Sequence, residues 1–137
     1  MTPKEFLRRV REIDRRIDET LERLDRMRAR LEAGRSSNLS GMPRGGALDW
    51  TETADRVIEL ERRYNSQIRD MCRLKQAAVD AIDRVEEASL REVLELYYLD
   101  GYTWERVAET MHLDLRWVYR LHGRALQQII VPEDIDH

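Results

Sequence analysis

Arg116, Arg120 and Arg124 recur at steps of four within residues 115–130, a stretch that holds no Asp or Glu. On a helix, this spacing puts all three guanidinium groups on one face. A line of such groups suits nucleic acid: guanidinium forks bind phosphate, and one near a helix start can reach a guanine edge, a contact worth about 1–3 kcal/mol. Arg116 is placed for a base edge, and Arg124, at the far end, for phosphate. The preceding residues carry the opposite sign. Residues 86–114 hold two arginines against eight acids, a net charge of −6, whereas residues 115–130 carry +3. The pattern is a small, oriented basic footprint on an acidic scaffold. Three neutralised phosphates imply a salt slope of about −2.7, so this footprint alone binds DNA weakly. A second copy or a larger partner is expected.

Other reactive residue types are sparse. The single Cys72 allows neither an intramolecular disulfide nor a cysteine zinc site. Beside Met71 of an apolar seam, it reads as a small, partly buried apolar residue. His112 and His122 lie ten apart with no second cluster of ligand residues. A surface or turn role is expected for each, with no metal and no cofactor. The carboxylates of residues 5–32 alternate with arginines and read as a solvated helix face. No P-loop, catalytic carboxylate pair or nucleophile with a base stands out. The chain reads as a binding protein and not as an enzyme.

The elements that must position the arginines are helical throughout. A chain of 137 residues amounts to about one domain. Charged residues make up 37% of it, against only 6 Gly and 3 Pro. That composition points to long solvated helices and excludes β-sandwiches, barrels and collagen-like repeats. The net charge of −3 gives no reason by itself to expect nucleic acid, so the local distribution matters more. The opening MTPKEFLRRVREIDRR has no uninterrupted apolar core. Neither a signal peptide nor a membrane span is expected, and the cytoplasm is the expected compartment.

Pro3 suits a first helical turn, and the spacing predicts one helix over residues 3–33. Its seam is Phe6, Val10, Ile13, Ile17, Leu24, Met27 and Leu31, widened by Leu7 and Leu21. Residues 34–48 break the pattern with four Gly, one Pro and three Ser, so a flexible loop is expected over 34–49. Asp49 with Glu52 resembles a capping box opening a second helix over 50–85. Its seam runs Ala54, Val57, Tyr64, Ile68, Met71, Ala78, Ile82 and Val85, widened by Leu60 and Leu74. Two such helices should fold back as an antiparallel hairpin, because neither can bury its seam alone. Two narrow seams also suit a homodimer through the long helices.

From Ala88 the helices shorten. Leu90, Val93, Leu94 and Tyr97 mark one, ended by Asp100-Gly101. Thr103 caps a second over 103–111, and Asp114 a third over 115–130. The last two have helix-turn-helix proportions, with Ala108 small at the crossing and Val107, Leu113 and Val118 beneath it. The expected fold is all-α: a helical hairpin over 1–87, a trihelical module over 88–131, and a frayed acidic tail over 132–137.

The stretch LREVLELYYLDGYTWERVAETMHLDLRWVYRLHGRALQQI resembles region 4 of sigma-70-type transcription factors. More narrowly, the chain resembles small phage- and prophage-encoded sigma-like regulators that carry a helical segment before that module. The resemblance implies double-stranded promoter DNA and bacterial RNA polymerase as partners, in the cytoplasm of a bacterial host. It implies that Leu115, Arg116, Trp117, Tyr119 and Arg120 are the exposed, DNA-facing residues of the last helix. Val118 and Leu121 fall on its buried positions, and Arg124 where a basic residue meets the DNA backbone. Two features depart from the family. The turn has His112 where Gly is usual, which requires a left-handed backbone or a different turn. Leu115 and Trp117 stand where polar or basic base readers are common, and Trp117 has a competing place in the core. Two other readings use the same architecture: a phage-encoded helical inhibitor of a host protein or nucleoprotein complex, and a small-terminase-like DNA-packaging adaptor.

Overall fold

Thr2 and Glu5 open the first helix. The Glu5 N–H donates to Thr2 Oγ1 (3.2 Å) and the Thr2 N–H donates to Glu5 Oε2 (3.0 Å), a reciprocal cap around Pro3. Helix α1 then runs Pro3–Leu39 in this computed structural model, which describes residues 1–39 and 46–135. Helix α2 runs Gly46–Asp83. Both reach further into the Gly- and Ser-rich stretch than their seams predict, because extending a formed helix costs far less than nucleating one. Residues 34–39 and 46–49 of the expected flexible loop are therefore helical, and residues 40–45 lie outside the described residues. Asp49 does not cap α2, whose backbone is already helical at Gly46.

Three shorter helices follow: α3 (Ala88–Leu94), α4 (Trp104–Met111) and α5 (Leu115–Gln128). A π-helical turn, Glu95–Leu99, continues α3. Among the described residues there is no strand, so the fold is all-α. Glu133–Ile135 forms one 3-10 turn of the acidic tail, and residues 136–137 lie outside the described residues.

In space, the described residues form two compact units, and these cut across the sequence division at residues 87 and 88. One unit is residues 15–70; the other is residues 1–14 with 71–137. Inside the first, Arg28 of α1 reaches Glu61 of α2 (2.7 Å), and Leu24 and Val57 are buried. Inside the second, Lys75 of α2 reaches Asp14 of α1 (2.8 Å). There Phe6, Leu7, Val10 and Ile13 are buried, as are Ala78, Ile82 and Val85. The same unit holds α3, which packs along α5, and α4, which also packs on α5. The helix-turn-helix module is thus folded together with the ends of both long helices. Cys72, expected to be partly buried, is exposed.

The π-turn corrects one detail of register. A period of 3.6 from Leu90 and Val93 points Tyr97 inward, but the extra residue of the wide turn rotates Tyr98 into the core instead. The Asp100 N–H donates to the Glu95 carbonyl (2.9 Å) and the Tyr102 N–H to that of Leu96 (3.0 Å). Gly101, at φ 75°, accepts the left-handed backbone that this ending requires.

Candidate nucleic-acid interface

The module is built from two capped helices and one strained residue. Thr103 Oγ1 accepts from the Arg106 N–H (3.2 Å) and starts α4; Asp114 Oδ1 accepts from the Arg116 N–H (3.0 Å) and starts α5. Between them, His112 takes the left-handed conformation (φ 56°, ψ 44°). The Leu113 N–H then donates to the Ala108 carbonyl (3.0 Å), which closes the turn. His112 therefore takes a conformation that Gly would adopt without strain, with the steric cost that a Cβ carries there. Val107, Ala108 and Val118 form the small core between the helices, with Leu113 packed against it.

The candidate residues of α5 do not all share one environment. Arg116 and Arg120 are exposed and, among the described residues, form no ion pair. Tyr119 and Trp117, 47% and 44% exposed, lie on opposite flanks of these two arginines at 100° per residue. Trp117 is thus not a core residue. Leu115 is half-buried and packs against the Val107–Val118 cluster. Its apolar side chain supports the turn, where a polar reader would have to stay in solvent. Arg124 is exposed but lies 3.4 Å from both carboxylate oxygens of Glu87. It borders a cleft of about 440 Å³ lined also by Glu86, so acids surround the position expected to meet phosphate.

The flank that carries Tyr119 continues into an aromatic cluster. Tyr97 stacks on Trp104 with ring centroids 3.7 Å apart, and Trp104 meets Tyr119 edge-on (5.6 Å) and His122 at 4.5 Å. The Tyr98 hydroxyl lies 2.6 Å from His122 Nε2. Burial, aided by the Lys4 and Arg8 charges, holds His122 down at about 4, and burial pushes Tyr98 up to about 12. Near pH 7 the phenol keeps its proton and the imidazole is neutral, so the two groups share one hydrogen bond without a charge on either. His122 is therefore a half-buried structural partner of Tyr98 and not the surface residue its sequence context predicts. The signal available in the sequence was the run Tyr97-Tyr98, Trp104, Tyr119, His122, which no single-helix periodicity connects.

Among the described residues, no group of three or more His, Cys, Asp or Glu side chains could hold a metal ion. No described helix is long and apolar enough to cross a membrane. What the geometry offers is a surface that binds: two unpaired guanidinium groups on the open face of a short, capped helix, flanked by aromatic rings. No curated protein and no solved structure matches the chain. Residues 87–129 match the family model described as Sigma-70, region 4, so this part of the chain is similar to a DNA-binding helix-turn-helix domain of transcription regulators.

Proposed function

We propose that this chain is a sigma-like transcription regulator of phage or prophage genes, acting in the bacterial cytoplasm. It reads promoter-like double-stranded DNA with α5 and works together with RNA polymerase. The observation that carries the reading is the pair Arg116 and Arg120, unpaired and exposed on the second helix of a region 4-like helix-turn-helix. In this reading Arg116 takes a base edge near the capped start of α5, and Arg120 takes the adjoining backbone. Trp117 and Tyr119 flank the contact, one of them against a thymine methyl or a sugar. Arg124 joins the footprint only by leaving Glu87, an exposed ion pair of the kind worth about 0–1 kcal/mol.

The test is DNA binding by the full chain, with polymerase present where it is required, at fixed salt and with helicity checked. Arg116→Ala is expected to cost about 1–3 kcal/mol and to relax preference at one base position. Arg120→Ala should weaken all sequences alike and flatten the salt slope by about 0.9. If both variants bind promoter DNA like the parent, α5 is not a reader and the helical-inhibitor reading takes the lead.

The proposal includes self-association through the long helices. Support comes from residues 15–70, where Leu21 and Ile58 remain 44% and 48% exposed and most of the seam is half-buried. Light scattering at high micromolar concentration should give a dimer mass, and a monomer there removes this part.

A further inference from the structure

Arg11 ties the first turns of α1 to the helix-turn-helix. Its Nε donates to the Tyr97 carbonyl (3.1 Å), its Nη2 to that of Tyr102 (3.2 Å), and its guanidinium lies 4.2 Å from the Tyr97 ring centroid. Lys4 and Arg8 stand seven and three residues earlier, on the same face of α1. They border a cleft of about 230 Å³ whose wall includes Tyr97, Trp104, Tyr119 and His122. Both are exposed, and neither forms an ion pair or a hydrogen bond among the described residues. The one acid in the first turn of α1, Glu5, is engaged in capping Thr2.

The size and contents of the cleft narrow what it can take. It is smaller than the roughly 300–1,000 Å³ of pockets for cofactor-sized ligands. Its rings are already stacked on one another at 3.7 Å, so no base can slide between them. His122 already spends Nε2 on the Tyr98 hydroxyl. What remains unsatisfied is positive charge, with the Tyr119 hydroxyl and the Trp104 indole N–H, for which no described residue is a partner. Cations and hydroxyl donors without a base slot are the means by which proteins grip a nucleic-acid backbone. The cleft also shares Tyr119 with the flank of Arg116 and Arg120, so the two surfaces are continuous.

We propose that Lys4 and Arg8 form a second phosphate site, which takes the DNA backbone beside the segment read by α5. The first turns of α1 then belong to the DNA-binding surface, and the footprint gains two phosphates that no region 4-like stretch supplies. The inference rests on the DNA-binding part of the proposed function.

The experiment uses the full chain and a fluorescently labelled mixed-sequence duplex of about 30 base pairs, with affinity followed from about 50 to 200 mM salt. The parent is compared with a K4Q/R8Q variant and an R116Q/R120Q variant, all checked for helicity. K4Q/R8Q should flatten the salt slope by about 1.8, so that the fourfold salt rise costs it about twelvefold less affinity than it costs the parent. The loss should be equal on a scrambled duplex. An unchanged slope for K4Q/R8Q beside a weakened R116Q/R120Q overturns the second site and leaves the α5 reading standing. The reverse pattern keeps the site and removes α5 as the reader. A parent that binds no duplex either alone or with RNA polymerase present overturns both. If K4Q/R8Q binds DNA like the parent yet loses association with RNA polymerase, the cleft is a protein site and the inference fails.

Discussion

The two compact units use the same pair of long helices and bury them to very different depths. In residues 1–14 with 71–137, the α1 residues Phe6, Leu7, Val10 and Ile13 are almost wholly buried, as are Ala78, Ile82 and Val85 of α2. Among the described residues of 15–70, only Leu24 and Val57 are buried, and Ile17, Met27, Leu31, Tyr64 and Ile68 stay half-exposed. The seam is no poorer there in apolar residues. What differs is the third layer: the unit of residues 1–14 with 71–137 contains α3, α4 and α5, whereas the unit of residues 15–70 draws its helices from α1 and α2 alone. Two helices shield a seam only along their line of contact, and full burial takes further elements. One unit is accordingly a core, and the other is a strip with uncovered apolar surface.

The most direct way to break this comparison is truncation of one seam residue in each unit. Phe6→Ala removes a fully buried ring and should destabilise the chain by about 3–5 kcal/mol. Met27→Ala, half-buried, should cost only about 1 kcal/mol. Urea denaturation measures both, and equal losses would mean that the two units are packed alike.

Acid should separate the units next. All three histidines lie at positions 112, 122 and 137, none of them within residues 15–70. The folded-state value of His122, lowered by burial to about 4, lies below its ordinary 6.5. The unfolded chain therefore binds a proton there that the native chain refuses, and stability is lost as pH falls from about 6.5 towards 4. Discounted for partial exposure, the loss is on the order of 1–2 kcal/mol. Hydrogen exchange should show it at Val118 and Leu121 and not at Leu24 or Val57, and His122→Phe should flatten the dependence. Protection at Leu24 that falls equally across this window would contradict the division.

A smaller effect sharpens the account of α5. A Cβ added at Gly123 meets nothing within 4 Å. Gly123→Ala should thus stabilise the helix by about 0.5–1 kcal/mol through backbone entropy. The same methyl group should weaken DNA binding if DNA approaches this face closely, so thermal stability and affinity are expected to move in opposite directions. The smallest effect is the Lys75–Asp14 ion pair, with side chains 35% and 57% exposed. A double-mutant cycle should give about 0.2–1 kcal/mol, and more than that would mean that charge, not burial, joins the two helices.

Local signals carried much of this architecture. The seam periodicity, the caps at Thr103 and Asp114, the small Ala108 and the non-glycine turn at His112 are each legible over a few residues. The caps and the turn are each matched by a bond or an angle, and Ala108 is buried against Val107 and Val118. The charge reversal at residue 115 likewise pointed to α5. Those features depend on neighbours within about one turn, where chain spacing and space coincide. The tertiary structure decided the rest. It turned Tyr98 rather than Tyr97 inward through a π-turn, and it tied Arg124 to Glu87, 37 residues away. It set His122 against Tyr98, and it brought Lys4, Arg8 and Arg11 from the start of the chain to aromatic rings at least 86 residues later. No periodicity records such meetings, because which faces of two distant helices touch depends on how the whole core packs.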